Sequence, residues 1–257
     1  VILCLPDEAA KEAVVMIDNE TTRVIDASTA YRVDPAWTYG FAEMSKDQRA
    51  AIAASTRVSN PGCYPTGFIG LVRPLVEGGI LPADWPVTVN AVSGYSGGGK
   101  AMIAEFEGEG GDPFRAYGLT LKHKHIPEMQ TYAGLTHRPL FAPAVGRYAQ
   151  GMLVEVPLQL GALPGKPSVA DVQAALDQAY AGERFVAVAP LAESQAMTGL
   201  EPEALNGTNQ MRLFVFGDPA GDQARLVAQL DNLGKGASGA AVQNLNLMLG
   251  LDEGAGL

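Results

Sequence analysis

Cys63 is the residue whose type and setting best suit covalent chemistry. Pro61-Gly62 before it favours a turn, and Pro65 after it suits the first turn of a helix, where a missing N–H costs nothing. The thiol is therefore predicted to lie at a helix N-terminus, whose partial positive charge lowers a thiol pKa and favours the nucleophilic thiolate. The alternative, a small buried hydrophobe, suits Cys4 better, because Cys4 belongs to the apolar run that opens the chain.

One of three histidines would supply an acid or base for such a thiol. His123 and His125 alternate at the end of a strand predicted over residues 118–124, so they should face opposite sides. Pro127 favours an extended conformation for the residue before it, which holds His125 at a strand-to-helix junction. We expect His125 near Cys63, and its rival His123 facing solvent or a structural partner. A purely structural role is the alternative for each histidine.

A glycine-rich segment, residues 94–100, follows a predicted strand and matches the spacing G-x-x-x-x-G-K. A nucleotide-phosphate loop needs a serine or threonine next, whose hydroxyl binds Mg²⁺, but Ala101 follows instead. The backbone N–H groups of this segment can still approach an anionic substrate. No spacing of cysteines and histidines is typical of a zinc site, so we predict no metal.

Composition and charge narrow the functional classes. The 257 residues include 18 basic and 28 acidic side chains, a formal net charge of −10 that disfavours nucleic acid as a partner. No apolar stretch approaches the ~20 residues that a membrane span needs. Two cysteines cannot build a disulfide framework, and a reducing cytoplasm is the expected location.

The elements that must position these residues divide into two predicted lobes. The first 60 residues alternate short apolar runs with helical periodicity, the βαβ pattern of an open parallel sheet. After residue 80 strands dominate, which indicates an α+β lobe. The predicted strands cover residues 22–26, 86–92, 118–124, 151–160, 184–190, 211–216 and 224–230, and the predicted helices residues 7–19, 46–54, 68–77, 168–181 and 237–251.

The last helix and the first strand each give a further prediction. Ala241, Leu245 and Met248 form one apolar stripe on the last helix, which should pack on the first lobe although it follows the second in sequence. The chain opens inside a predicted core strand, so we expect further sequence upstream of Val1.

Several ordered segments together carry a family resemblance. Residues 59–67, Ser-Asn-Pro-Gly-Cys-Tyr-Pro-Thr-Gly, closely resemble the active-site signature of the N-acetyl-gamma-glutamyl-phosphate reductases, in the shorter form of that family. Other segments resemble the same family in the same order: residues 25–32, 39–40, 93–100, 123–128, 230–239 and 243–244. The glycine-rich strand-turn-helix with which the family begins has no counterpart after Val1.

The resemblance implies a fold, a domain division and a cofactor. It implies an α/β protein, in which the remainder of a Rossmann-type parallel-sheet NADP domain (residues 1–62 and 235–257) joins an α+β catalytic and oligomerisation domain with a mixed sheet (residues 63–234). The implied cofactor is NADP(H), and the implied partners are a small acyl-phosphate substrate and further copies of the chain, as a dimer or tetramer.

The resemblance also implies a mechanism. The Cys63 thiolate would attack N-acetyl-glutamyl 5-phosphate and expel phosphate, and NADPH would deliver hydride to the resulting thioester while His125 protonates the oxyanion. The residues expected near the cofactor are Ser28, Asn232, Gly234 and Gly236, and those expected near the substrate's anionic groups are Arg32, Lys100 and Arg147. The alternatives are a Cys/His acyl-transfer hydrolase and a truncated, inactive oligomeric scaffold.

Overall fold

A computed structural model describes residues 1–257. A four-stranded parallel sheet, with strand order β1-β2-β4-β3, holds the first part of the chain. Its strands are β1 (Ile2–Leu3), β2 (Val24–Asp26), β3 (Thr38–Tyr39) and β4 (Arg57–Ser59), and its helices are α1 (Asp7–Val15) and α2 (Gln48–Ala54). Short links between β-strand, helix and parallel β-strand are the arrangement that the βαβ pattern predicts.

A seven-stranded mixed sheet, with order β6-β7-β5-β8-β11-β10-β9, follows it. Only the β5–β7 and β9–β10 pairs in it are parallel. The strands are β5 (Thr88–Gly94), β6 (Phe114–Ala116), β7 (Leu140–Gly146), β8 (Met152–Gln159), β9 (Val186–Val188), β10 (Met211–Phe216) and β11 (Gln223–Leu230). The prediction of an α/β fold with one parallel and one mixed sheet is confirmed.

Helix α3 (Cys63–Glu77) lies flat on one face of the mixed sheet. Its glycines allow this close packing, since a Cβ on Gly67 would lie 2.9 Å from Val154 Cγ2, and one on Gly70 would lie 2.8 Å from Met211 Cε. The main hydrophobic core forms between this helix and the sheet. The remaining helices are α4 (Gly99–Glu107), α5 (Ile126–Tyr132), α6 (Val169–Ala179), α7 (Leu191–Ala196) and α8 (Gly239–Leu249).

The final helix, α8, returns to the parallel sheet. Ala241 and Met248 share a core cluster with Ile25, Ile52 and Val58, which come from β2, α2 and β4. A five-residue π-turn, Gly234–Ser238, connects β11 to α8 and lies between the two sheets. The longest helix has 15 residues, and none of the helices has the length and apolarity needed to cross a bilayer.

The sequence-based prediction differs from the structure in several places. Cys4, expected to be a small buried residue of the opening strand, is exposed and follows β1. The strand predicted over residues 118–124 is a loop, because Gly118 and Leu121 adopt left-handed backbone conformations with φ of 65° and 55°. No helix is predicted between residue 77 and the junction at His125, but a 3-10 turn (Tyr95–Gly98) and then α4 follow β5 directly, and α5 comes later, at that junction.

Candidate active site

One cavity of about 730 Å³ lies where the two sheets meet. Its floor is formed by residues at the carboxyl ends of parallel strands, which include Ala27 after β2 and Asn60 after β4. Cys63 and His125 both line it, and the glycine-rich segment and the π-turn form further parts of its wall. Open α/β sheets bind ligands at such strand ends, and the volume suits a small molecule.

Cys63 is the first residue of α3, with Gly62 as N-cap, so its thiol lies at a helix N-terminus as predicted. The thiol is nevertheless largely desolvated, although Cys63 as a residue is half-buried and lines the cavity. This burial raises its pKa to about 11, and it outweighs the lowering effects of the Tyr64 N–H and the Arg32 guanidinium. The expectation of a lowered thiol pKa is therefore wrong for the free protein, and a base is needed to remove the proton.

His125 can serve as that base. It is the N-cap of α5 and is buried, and burial holds the pKa of its imidazole well below the usual value, so the ring is neutral. Its Nδ1 is buried and has no hydrogen-bond partner. A Cβ on Gly62, the residue before Cys63, would lie 2.9 Å from His125 Nε2. The imidazole thus stands against the turn that presents the thiol.

His123 lies beside His125 instead of facing away from the cavity. Their ring centroids are 4.7 Å apart, and the His125 backbone N–H donates to His123 Nδ1 at 3.1 Å. The His123 ring packs edge-on against Tyr64 and Phe141, and burial lowers its pKa to about 4. The two rings share one wall because residues 118–124 form a loop, so strand alternation does not apply to them.

The buried carboxylate of Glu128 connects residues from several parts of this site. Glu128 on α5 accepts from Arg32 Nη1 at 2.8 Å, from the Tyr39 hydroxyl at 2.9 Å and from the Gly62 N–H at 3.1 Å. Arg32 also donates through Nε to the Asn60 carbonyl at 3.0 Å. Burial raises the pKa of Glu128, against the lowering effect of Arg32 and the other donors. Of these residues, the sequence analysis names Arg32 as a site residue and includes Glu128 in the segment 123–128, but the bonds that Glu128 makes to Tyr39 and Gly62 link distant parts of the chain and carry no local signal.

Comparisons with known proteins identify relatives of this chain. The semialdehyde dehydrogenase dimerisation-domain family matches residues 63–232. An N-acetyl-gamma-glutamyl-phosphate reductase from Brucella ovis is 57% identical over 255 residues, which cover 97% of this chain and 82% of the relative. One from Mesorhizobium japonicum is 56% identical over 254 residues, with the same coverage.

The chain belongs to the N-acetyl-gamma-glutamyl-phosphate reductase family. A solved structure of aspartate semialdehyde dehydrogenase II from Vibrio cholerae superposes with a TM-score of 0.70 at 16% identity, covering 96% of this chain and 78% of the other. At that identity the likeness establishes a shared fold.

For this reductase-family chain, the predicted site residues divide into two groups. Five of them line the cavity: Arg32, Cys63, His125, Asn232 and Gly236. The other four lie outside it: Ser28, Lys100, Arg147 and Gly234. The Ser28 hydroxyl donates to Asp26 at 2.6 Å, Arg147 is exposed and donates to the Gly111 carbonyl, and Lys100 is exposed. The roles predicted for all nine residues stay predictions.

Asn232 makes contacts that its predicted cofactor role did not anticipate. Its Oδ1 accepts from the Gly151 N–H at 2.8 Å and its Nδ2 donates to Ser96 Oγ at 3.0 Å. The adjacent Asp231 accepts from Gln150 and from the Gly207 N–H. These bonds fix the glycine-rich segment and the loop after β7 against the end of β11.

The cavity walls suit a flat ligand such as a nicotinamide ring. Backbone without side chains lines the cavity at Gly97, Gly98 and Gly99, and again at Gly236. A Cβ on Gly236 would lie 2.8 Å from Cys63 Cβ, so only glycine leaves space there beside the thiol. The residues therefore fit the nicotinamide ring of the cofactor class that the family resemblance implies. No group of three or more potential metal ligands occurs in the chain.

Proposed function

We propose that this protein converts N-acetyl-L-glutamyl 5-phosphate into N-acetyl-L-glutamate 5-semialdehyde and phosphate, as a reductase of arginine biosynthesis. The observation that carries this proposal is the position of Cys63 and His125 in one cavity, in a chain 57% identical to a reductase of that name. A helix N-terminal thiol with a neutral imidazole nearby is the apparatus of acyl transfer through a thioester.

Cys63 and His125 carry out the covalent steps. The neutral His125 imidazole takes the proton of the Cys63 thiol, and the sulfur attacks the acyl carbon. A C–S bond forms, the bond from that carbon to the phosphate oxygen breaks, and phosphate leaves with the bonding electrons. A bound reduced nicotinamide supplies the hydride that brings the thioester to the aldehyde level. The carbonyl then re-forms as the C–S bond breaks, the His125 imidazolium returns its proton to the departing sulfur, and the aldehyde leaves with Cys63 again a thiol.

The cofactor proposed for this step is NADP(H). The walls at Gly97–Gly99 and Gly236–Ser238 would hold its nicotinamide ring beside Cys63, because their backbone allows a planar group to approach. Arg32 lines the cavity next to Cys63, and we propose that its charge assists substrate binding. A comparison of kcat/KM with NADPH and NADH tests the preference between the two cofactors.

We propose that two copies of the chain associate through the outer face of the mixed sheet. A groove of about 480 Å³ lies on this face, where Leu153 and Glu155 point away from α3. Phe114 and Leu119 line it and are more than half exposed. The family description, a dimerisation domain over residues 63–232, supports association through this domain, and the exposed groove leads us to this face. Leu119→Asp should shift the sedimentation coefficient towards that of a monomer.

The domain division and the location complete the proposal. Residues 1–62 and 235–257 form the cofactor-binding domain and residues 63–234 the catalytic domain, a division supported by the packing of α8 on β2 and α2. The two free thiols, Cys4 and Cys63, support a reducing compartment and hence the cytoplasm.

Turnover with the acyl phosphate tests the proposed function directly. We expect the protein to oxidise NADPH in proportion to phosphate released from N-acetyl-L-glutamyl 5-phosphate, and Cys63→Ser to abolish both, since an alkoxide forms far less readily than a thiolate. Cys4→Ser is the matched control and should retain turnover. Phosphate release without NADPH oxidation would identify a hydrolase instead.

A further inference from the structure

A fully buried ion pair lies behind the π-turn Gly234–Ser238. Lys235 is 1% exposed, and its Nζ is 2.8 and 2.7 Å from the two carboxylate oxygens of Glu43 and 2.7 Å from Gln243 Oε1. The ammonium also lies 5.7 Å from the ring centroids of Phe41 and Phe185. Burial opposes the Glu43 charge, but Lys235 and its other partners outweigh this effect and lower the pKa of that carboxyl.

The neighbouring residues of the same turn face the active site. Gly236 touches Cys63, since a Cβ placed there would lie 2.8 Å from Cys63 Cβ and 3.3 Å from Cys63 Cα. The Ala237 carbonyl accepts from Asn60 Nδ2 at 2.9 Å, and Asn60 itself lines the cavity. The turn therefore has one side chain anchored in the interior while the next backbone unit forms the wall beside the thiol.

We infer that Lys235, held by Glu43, is a positioning residue that fixes the cavity wall at Gly236 against Cys63. This inference rests on the proposed function, because it concerns the thiol that the proposed reaction uses. Lys235 would act by holding the Gly236 backbone against Cys63. The thiol then stays shielded from water, and the space beside it keeps the width that a planar ring needs.

The surroundings of the pair explain why the anchor is firm. Arg49 on α2 lies 3.8 Å from Glu43 and forms ion pairs with Glu253, near the chain end, and with Glu183, between α6 and β9. These charges join the parallel sheet, the mixed sheet and the C-terminal segment around one buried centre. Removing Lys235 alone would leave the buried Glu43 charge with only the more distant Arg49 as counter-ion, whereas removing both charges together reduces that cost.

The double variant Lys235→Met/Glu43→Gln, made in a Cys4→Ser background, tests the inference. The measurement is the rate at which iodoacetamide alkylates Cys63 at pH 8, without substrate or cofactor. If the wall loosens, the desolvation of the thiol decreases, and we expect alkylation to be about tenfold faster, the effect of one unit of thiol pKa. The kcat should fall while the circular dichroism spectrum is retained.

An exposed ion pair elsewhere in the chain provides the matched control. Arg184 and Asp252 form an exposed ion pair at 2.9 Å, also at the junction of the C-terminal segment with the mixed sheet. The variant Arg184→Met/Asp252→Asn should leave the Cys63 alkylation rate and kcat unchanged. Should the buried double variant fail to fold, Glu43→Asp keeps the charge but shortens the side chain, and it should still accelerate alkylation.

The inference is overturned if Cys63 is alkylated at the parent rate in the folded double variant or in Glu43→Asp. Such a result would mean that the pair only stabilises the fold, because its loss would then lower Tm without exposing the thiol. Alkylation needs neither substrate nor cofactor. If the parent protein does not oxidise NADPH, the proposed function is refuted. The alkylation rates of the variants still decide whether Lys235 positions the wall at Gly236.

Discussion

Arg32 and Glu128, 96 residues apart in sequence, form a buried ion pair with 2.8 Å between Arg32 Nη1 and Glu128 Oε1. Glu128 belongs to the helix that His125 caps, and it also accepts the N–H of Gly62, the residue before Cys63. The pair therefore links the turn that presents the thiol to the helix that carries the imidazole. Its geometry sets how these two groups face each other.

Glu128→Gln should destabilise the protein by about 3 to 5 kcal/mol, because it leaves the Arg32 charge buried without a counter-ion. The free energy of unfolding, measured in urea, gives this difference. Glu193→Gln is the matched control, since Glu193 pairs with Arg212 on the surface and such pairs contribute up to about 1 kcal/mol. Equal losses in the two variants would show that the buried pair contributes no more than a surface pair.

His125→Asn and His123→Asn should distinguish the histidine that takes part in the reaction from the one that stabilises the fold. We expect His125→Asn to lower kcat by about 100-fold or more with little change in the KM for the acyl phosphate, the usual loss when an acid or base is removed. His123→Asn should mainly lower Tm, because its ring packs among Tyr64, Tyr117 and Phe141. A larger loss of kcat in His123→Asn would reverse the assignment of the two rings.

The alkylation of Cys63 in the free protein should rise steeply with pH. Its pKa of about 11 lies above the ordinary value, so the thiolate fraction increases about tenfold for each pH unit between 7 and 10. Rates of reaction with iodoacetamide, measured in Cys4→Ser so that one thiol remains, follow this slope. A plateau that begins below pH 8 would mean that the helix N-terminus outweighs burial.

Gly236→Ala should impair activity, because the added methyl group would lie 2.8 Å from Cys63 Cβ and fill the space beside the thiol. We expect a large fall in kcat/KM and a loss of about 1 to 3 kcal/mol of stability, as is usual for overpacking. Gly199→Ala is the control, since a Cβ there meets nothing within 4 Å. Unimpaired turnover in Gly236→Ala would mean that the wall can yield without consequence.

The parts of the fold that were predicted correctly have local signals. Ser168 and Asp171 form a capping box that marks the start of α6, and the apolar run Met211–Phe216 is a strand with the predicted bounds. Strand β7 was not predicted because Pro143 interrupts it. Pro143 is in register with Ala91 of β5, but the Leu140 N–H donates to Val87 on the β5 side, so the nitrogen of Pro143 faces the β6 side. Pairing with β6 covers only Ala144 to Gly146, so no partner requires a donor at position 143.

Sequence motifs brought Cys63 and His125 into consideration, since a cysteine between turn residues and a histidine two positions before a proline are local patterns. The Glu43–Lys235 pair carries no such pattern. The two residues are 192 positions apart, and a buried lysine looks like any surface lysine until its partner is known. Burial of the Cys63 thiol likewise depends on Gly236, which lies far away in sequence, so its effect on the pKa could not be read from the residues around the thiol.

The return of the C-terminal segment to the parallel sheet also governs when the protein can mature during its synthesis. Glu43 leaves the ribosome 192 residues before Lys235, an interval of about 10 to 40 s at about 5 to 20 residues per second. Throughout that interval the nascent chain lacks α8 and the wall beside Cys63. The cavity beside Cys63 can therefore be completed only after the π-turn and α8 have been synthesised, long after the segment that carries the thiol.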